Sequence, residues 1–193
     1  MKSLVFATNN KNKLREIREI IGDKFKVLSL EDINCHEEIP ETCDTIEGNA
    51  LQKAHYIKDK FGMDCFADDT GLEVAALNGE PGVYSARYAG DDVTPEQNID
   101  KLLSKMEGIE NRSAKFRTVI AFIHGDVEKE FEGQVSGSIT TERHGEGGFG
   151  YDKVFQPENS DLTFAEMSSE AKNKISHRGN ATKLFVDYLN DEL

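Results

Sequence analysis

Residues 3 to 22 spell out a strand that runs straight into a helix, which confines the chain to folds in which the two alternate. Ser3-Leu4-Val5-Phe6-Ala7 is a short apolar run of the kind a buried strand needs. It stops at Thr8-Asn9-Asn10-Lys11-Asn12-Lys13. Leu14, Ile17 and Ile21 then recur at helical spacing, with Arg15, Glu16, Arg18 and Glu19 on wetter faces and Gly22 at the stop. Asn9 or Asn10 caps this helix. Lys11 and Lys13 then lie beside the positive end of its macrodipole, where acids are normally preferred. Either both lysines are simply exposed, or an anion such as phosphate sits there on backbone N–H groups, Asn amides and ammonium groups.

The same oddity recurs near the carboxyl end. Ser176 reads as an N-cap before Ala181, Leu184, Phe185, Tyr188 and Leu189, and His177 and Arg178 fill the first turn. Upstream, Ser168 or Ser169 opens a short helix carrying Lys172 and Lys174, of which one is expected to face a site.

Carboxylates supply the opposite need. Met63 to Ala67 reads as a strand after a helix ending at Phe61-Gly62, followed by a turn at Asp68-Asp69-Thr70-Gly71 and a second strand over Leu72 to Leu77. Two adjacent acids repel unless they are solvated, hydrogen-bonded or neutralised. They form either an ordinary Asp-rich surface turn or a seat for a hard cation such as Mg2+, which keeps water ligands for phosphate. Asp44 with Glu47 fits a capping arrangement for the helix carrying Ile46, Ala50, Ala54, Ile57 and Phe61 inward. Glu41, outside that helix, has no such task and is a candidate for the same cation.

Gly147-Gly148-Phe149-Gly150-Tyr151-Asp152 returns a nearly bare backbone to aromatic rings and a carboxylate. It reads either as a hairpin whose aromatics enter the core or as a wall for a planar base, with a close backbone, stacking rings and a directed acceptor.

Elsewhere, Thr94-Pro95-Glu96-Gln97 announces a helix with a capping glutamine, carrying Ile99, Leu102, Leu103 and Met106 inward and closing at Gly108. Phe116 to Ile123 turns at Gly125-Asp126 and returns through Phe131 to Ile139 as an antiparallel pair. Interleaved elements with one hairpin predict an α/β fold: a mixed β-sheet flanked by helices, in one domain spanning 1–193. The net charge of −13 argues against a nucleic-acid groove. Cys35, Cys43 and Cys65 form no C-x-x-C pair, as expected of reduced thiols in a cytoplasmic protein. The histidines show no zinc signature, and the first apolar run is too short for a signal peptide or membrane span.

Taken together, Thr8-Asn9-Asn10 with Lys13, Glu41 to Ala50, Phe66 to Leu72, Pro81 to Tyr88, Gly147 to Asp152 and Ser176-His177-Arg178 resemble the inosine triphosphate pyrophosphatases, in order and over nearly the whole chain. Lys153 departs from the family's usual proline and is expected to loosen the loop without removing a ligand group. Thr70, where many members have serine, keeps the hydroxyl. The resemblance implies an elongated, two-lobed molecule with a central nucleotide-binding cleft, commonly a homodimer. It implies hydrolysis of dITP, ITP and XTP to the monophosphate and pyrophosphate. Thr8, Asn10 and Lys13, within the stretch that includes Asn9, Lys11 and Asn12, would hold the triphosphate. Glu41, Asp68 and Asp69 would surround Mg2+, with Asp69 orienting water. The base would sit among Phe149, Gly150, Tyr151, Asp152, His177 and Arg178, with Lys172 near the phosphate or sugar. A non-catalytic nucleotide sensor and a phosphatase removing only the terminal phosphate are the rival readings.

Overall fold

The structure, a computed structural model, describes residues 2–192. In chain order the elements are β1 (Ser3–Phe6), α1 (Lys11–Ile21), β2 (Lys26–Leu28), α2 (Ile46–Phe61), β3 (Cys65–Val74), β4 (Pro81–Gly82), α3 (Pro95–Lys105), β5 (Ser113–His124), β6 (Val127–Ile139), β7 (Phe155–Pro157), α4 (Ser169–Ile175) and α5 (His177–Glu192). Among the described residues the strands form one seven-stranded sheet in the order β2-β1-β3-β5-β6-β7, with β4 paired to β3.

The sheet is mixed. β1 runs parallel to β2 and β3, whereas β4 is antiparallel to β3 and β7 to β6. Gly125 and Asp126 alone separate β5 from its neighbour β6. A two-residue connection can join only antiparallel strands, so the hairpin read from the sequence is present.

The chain divides into two compact units. The first takes the chain through Asp69, Thr118–Gly133 and the stretch from Arg178; the second takes Thr70–Arg117 and Gln134–His177. Each has its own apolar core. In the first, the register of β1 against β3 sets Phe6 opposite Phe66, and the rings stack at 4.6 Å, with Phe185 of α5 packed on Phe66. All three are fully buried. Truncating any one to Ala is expected to cost about 3–5 kcal/mol through lost burial and the cavity left behind. In the second, Leu72, Ile99, Leu102, Phe116, Phe155 and Phe164 form the cluster, with Phe116 and Phe155 edge to face at 4.6 Å.

Helix boundaries follow local chemistry. Asn10 caps α1, which closes at Gly22, and Thr94, Pro95 and Gln97 build the capping box of α3. Two expectations are corrected. The cap of α2 is Thr45, whose hydroxyl accepts from the Gly48 N–H, and not Asp44: the helix starts at Ile46, so the extended residue with a side chain in reach is one further on. Asp68-Asp69-Thr70-Gly71 is also no turn. β3 runs unbroken from Cys65 to Val74, nearly all of it buried. Acids are poor strand formers, but the Asp68 charge is neutralised by Lys13 and Arg178 from distant segments, and that tertiary gain outweighs local propensity.

Candidate active site

In the first unit, Asp68 and Asp69 leave β3 into a cluster of opposite charges. Lys13, in the first turn of α1, donates from Nζ to Asp68 Oδ1 at 3.1 Å. Arg178, in the first turn of α5, donates from Nε to Asp68 Oδ2 at 3.1 Å and from Nη1 to Glu16 Oε2 at 2.5 Å. Lys53 on α2 donates from Nζ to the Asp68 carbonyl at 2.7 Å and to Glu41 Oε1. Arg178 is only 1% exposed and Asp68 fully buried, so neither charge is sustainable without its partners.

The two neighbouring aspartates are driven in opposite directions. Burial would raise the pKa of Asp68, but the Lys13, Arg178 and Lys53 charges overcome it and hold the carboxyl well below the usual carboxylate range. Asp69 is raised: burial leads, Lys53 and Lys13 oppose it, and Glu41 and Asp68 add like charge. Asp69 is 8% exposed, and its Oδ2 has no hydrogen-bond partner. One acid is a locked counter-ion and the other keeps an affinity for protons, a division of labour typical of acid–base sites. Lys13 is lowered by burial, against the pull of Asp68, with Lys53 and Arg178 lowering it further. Lys53 is raised because Asp69, Glu41 and Asp68 outweigh its burial.

Asn10 Oδ1 accepts from the N–H groups of Asn12 (3.0 Å) and Lys13 (3.2 Å), and Thr8 Oγ1 accepts from the Asn10 N–H at 3.1 Å. Two of the backbone donors expected to meet an anion are therefore occupied by the helix cap, while Asn9 and Lys11 are exposed. Among the described residues no group of three or more His, Cys, Asp or Glu side chains could hold a metal ion. The reason is visible at Asp68, whose two oxygens face Lys13 and Arg178.

In the second unit, the loop Gly147 to Asp152 is held by its own carboxylate. Asp152 Oδ2 accepts from the Phe149 N–H at 3.0 Å and from Lys172 Nζ at 2.7 Å. Lys172 also lies over the Phe149 ring at 4.7 Å. Gly148 has φ +69°, and a Cβ there would fall 2.3 Å from Asp152 Oδ2, so only glycine lets the loop close on that carboxylate. Asp152 and Lys172 are buried, and the acceptor oxygen of the acid is turned onto the loop itself. Tyr151 also turns inward, its hydroxyl donating to the Ser85 carbonyl at 2.6 Å, so of the expected base-stacking rings only Phe149 stays partly exposed.

Lys172 is the lysine of α4 that is buried; Lys174 is exposed and pairs with Glu170. Ser168 caps α4, and Ser176 closes that helix immediately before α5. His177 stacks on Phe116 at 4.4 Å. Thr70 lies within β3 and is partly buried. Lys153 donates to Glu96 at 2.8 Å.

Two residues of the charge cluster escaped the sequence reading. Lys53 falls on the buried stripe of α2 with Asn49, Ala50, Ala54 and Ile57, and a lysine on such a stripe is itself the signal. Glu16 sits three residues after Lys13, on the same helical face, among charged neighbours that make it look like part of a wet surface.

Residues 4–188 match the Ham1 family. The chain is 56% identical to a dITP/XTP pyrophosphatase of Flavobacterium johnsoniae, covering 96% of this chain and 97% of that one. It is 51% identical to the enzyme of the same name from Porphyromonas gingivalis, covering 98% of each. Among solved structures, the Staphylococcus aureus Ham1 protein aligns with a TM-score of 0.90 at 41% identity, over the full length of both chains. A HAM1 protein from Coxiella burnetii aligns equally well, at 36% identity over 99% of this chain and 100% of the other. With a mixed α/β fold, an ordered set of motifs and near-complete coverage in agreement, the chain belongs to the Ham1 family.

Proposed function

We propose that the protein hydrolyses deaminated purine nucleoside triphosphates, dITP, ITP and XTP, to the monophosphate and pyrophosphate, clearing them before they enter nucleic acid. The observation that carries this reading is the buried carboxylate of Asp69, with one oxygen unpartnered and a raised proton affinity, beside Lys13, Lys53 and Asp68. The names of the relatives from F. johnsoniae and P. gingivalis support the substrate class.

Asp69 takes a proton from water as the water oxygen bonds to the α-phosphorus; the bond from that phosphorus to the bridging oxygen breaks, and pyrophosphate leaves. Lys13 offsets charge developing on the departing oxygens, and the Asn10 cap fixes the turn from which Lys13 projects. Arg178 and His177 are the proposed donors to the C6 oxygen of hypoxanthine or xanthine. Adenine presents an amine there and would set donor against donor. Phe149 and Gly150 are the proposed lining for the base, with Lys172 and Asp152 holding their loop.

The donor set fits Mg2+ if the protein supplies one or two carboxylates and phosphate and water complete the shell, as is usual for this ion. Asp69 and Glu41 would hold it, and Asp68 would act as counter-ion to Lys13 and Arg178. When bound, Mg2+ would neutralise phosphate charge. The family match over 4–188 supports one functional domain, and a cytoplasmic homodimer belongs to the same proposal. Among the described residues no helix is long and apolar enough to cross a membrane.

The test is incubation with Mg2+ and, separately, ITP, XTP, GTP and ATP, followed by chromatography of the products. Monophosphate and pyrophosphate from ITP and XTP, with little from GTP or ATP, are expected. Nucleoside diphosphate and orthophosphate would favour a terminal phosphatase, and tight binding without turnover a sensor.

A further inference from the structure

The segment from Gly145 to Asp152 leaves and returns through a paired stem, in which the His144 N–H donates to the Lys153 carbonyl at 2.8 Å and the Thr140 N–H to the Val154 carbonyl at 2.9 Å. The side chains on the two sides of this stem converge on one acid. Lys153 Nζ donates to Glu96 Oε1 at 2.8 Å, and Arg143 Nε donates to Glu96 Oε2, also at 2.8 Å. Arg143 Nη2 adds bonds to the Glu96 carbonyl at 3.1 Å and to Asp100 Oδ1 at 2.6 Å. Glu96 belongs to the first turn of α3, a helix whose capping box and proline fix its start and whose buried Ile99 and Leu102 seat it in the second unit's core. The carboxylate therefore joins a rigid helix to both sides of the stem at once.

We propose that Glu96 is a positioning residue for the Gly145 to Asp152 loop, gripping Lys153 and Arg143 with its two oxygens so that Phe149 and Gly150 are presented in a fixed geometry. The consequence for base binding rests on the function proposed above; the anchoring does not. An isolated exposed pair contributes little, but two cations sharing one carboxylate lose both contacts when the acid is removed, and a partly exposed network of this kind is screened by salt. The hydrogen bonds from Lys153 and Arg143 hold the Glu96 carboxyl below the usual range, consistent with a shared grip.

The experiment compares wild type, Glu96→Gln, Lys153→Met and Lys153→Arg by amide hydrogen exchange of the loop without nucleotide, at low and high NaCl, alongside steady-state kinetics with ITP. Glu96→Gln is expected to exchange about threefold faster over the loop and to raise KM about threefold at unchanged kcat, in line with the loss of a small ion-pair network. Lys153→Met should show a smaller effect of the same sign and Lys153→Arg should restore wild-type behaviour. High salt should loosen the wild-type loop more than that of Glu96→Gln, in which only the Arg143–Asp100 pair is left to screen. Wild-type exchange rates in both the Gln and Met variants would overturn the proposal, as would faster exchange with KM unmoved. If the wild type shows no ITP turnover, the substrate reading fails, and loop exchange alone then decides the anchoring.

Discussion

Arg178 reaches across 162 residues of sequence to place its guanidinium 2.5 Å from Glu16, while its Nε faces Asp68 at 3.1 Å. This couples the start of α5 to α1 and β3 through groups that are all buried. Removing one member leaves charge without its compensation. Glu16→Ala is expected to cost about 3 kcal/mol, near the lower end for a broken buried pair because Asp68 still faces the arginine. Urea denaturation followed by circular dichroism measures it; a loss below half that size would show that water replaces the partner.

Asp68→Asn should be more damaging still. It leaves Lys13 and Arg178 facing an amide, at a cost of about 3–5 kcal/mol. The pH dependence has a definite sign. Because the folded pKa of Asp68 is depressed, its contribution is fully present above the unfolded value of about 3.9 and is lost as pH falls through the folded value. Wild type should therefore lose stability on acidification below that point more steeply than Asp68→Asn, as read from melting temperatures across an acid series.

Asp69→Asn is predicted to do the reverse. Its carboxyl is raised, so the stabilising form is the protonated one: its contribution is present below the unfolded pKa and lost as pH rises through the folded value. Substituting Asn should leave melting unchanged or improved at neutral pH. Turnover should fall roughly 10²–10⁴-fold, the usual contribution of a positioned base. In the wild type kcat/KM should decline as pH falls through the raised Asp69 value. Full-rate Asp69→Asn would remove the catalytic assignment.

Gly148→Ala combines a left-handed backbone with a Cβ placed 2.3 Å from the Asp152 carboxylate. A cost of about 1–3 kcal/mol is expected from the strained conformation alone. The loop must shift to admit the methyl group, so KM for ITP should rise before kcat falls. Steady-state kinetics beside a melting curve separates the two effects.

Much of the fold was legible because its signals are local. Asn10 and Gly22 bracket α1, Thr94, Pro95 and Gln97 start α3, and Gly125-Asp126 turns the β5–β6 hairpin. The continuity of β3 was not legible. Asp68-Asp69-Thr70-Gly71 has the composition of a turn, and what makes it a strand lies 55 residues away at Lys13 and 110 away at Arg178. The same distance effect hid the roles of individual groups. Sequence brought Lys13, Glu41, Asp68, Asp69 and Arg178 forward as chemistry-bearing residues. Only the folded chain pairs Asp68 with two cations and leaves Asp69 Oδ2 without a partner, and only folding adds Lys53 and Glu16 to the cluster.

The most direct test of the central claim is to run ITP hydrolysis with Mg2+ in heavy-oxygen water and weigh the products. Attack at the α-phosphorus, with Asp69 orienting the water, predicts the label in inosine monophosphate and none in pyrophosphate. Label in pyrophosphate or in orthophosphate would contradict it.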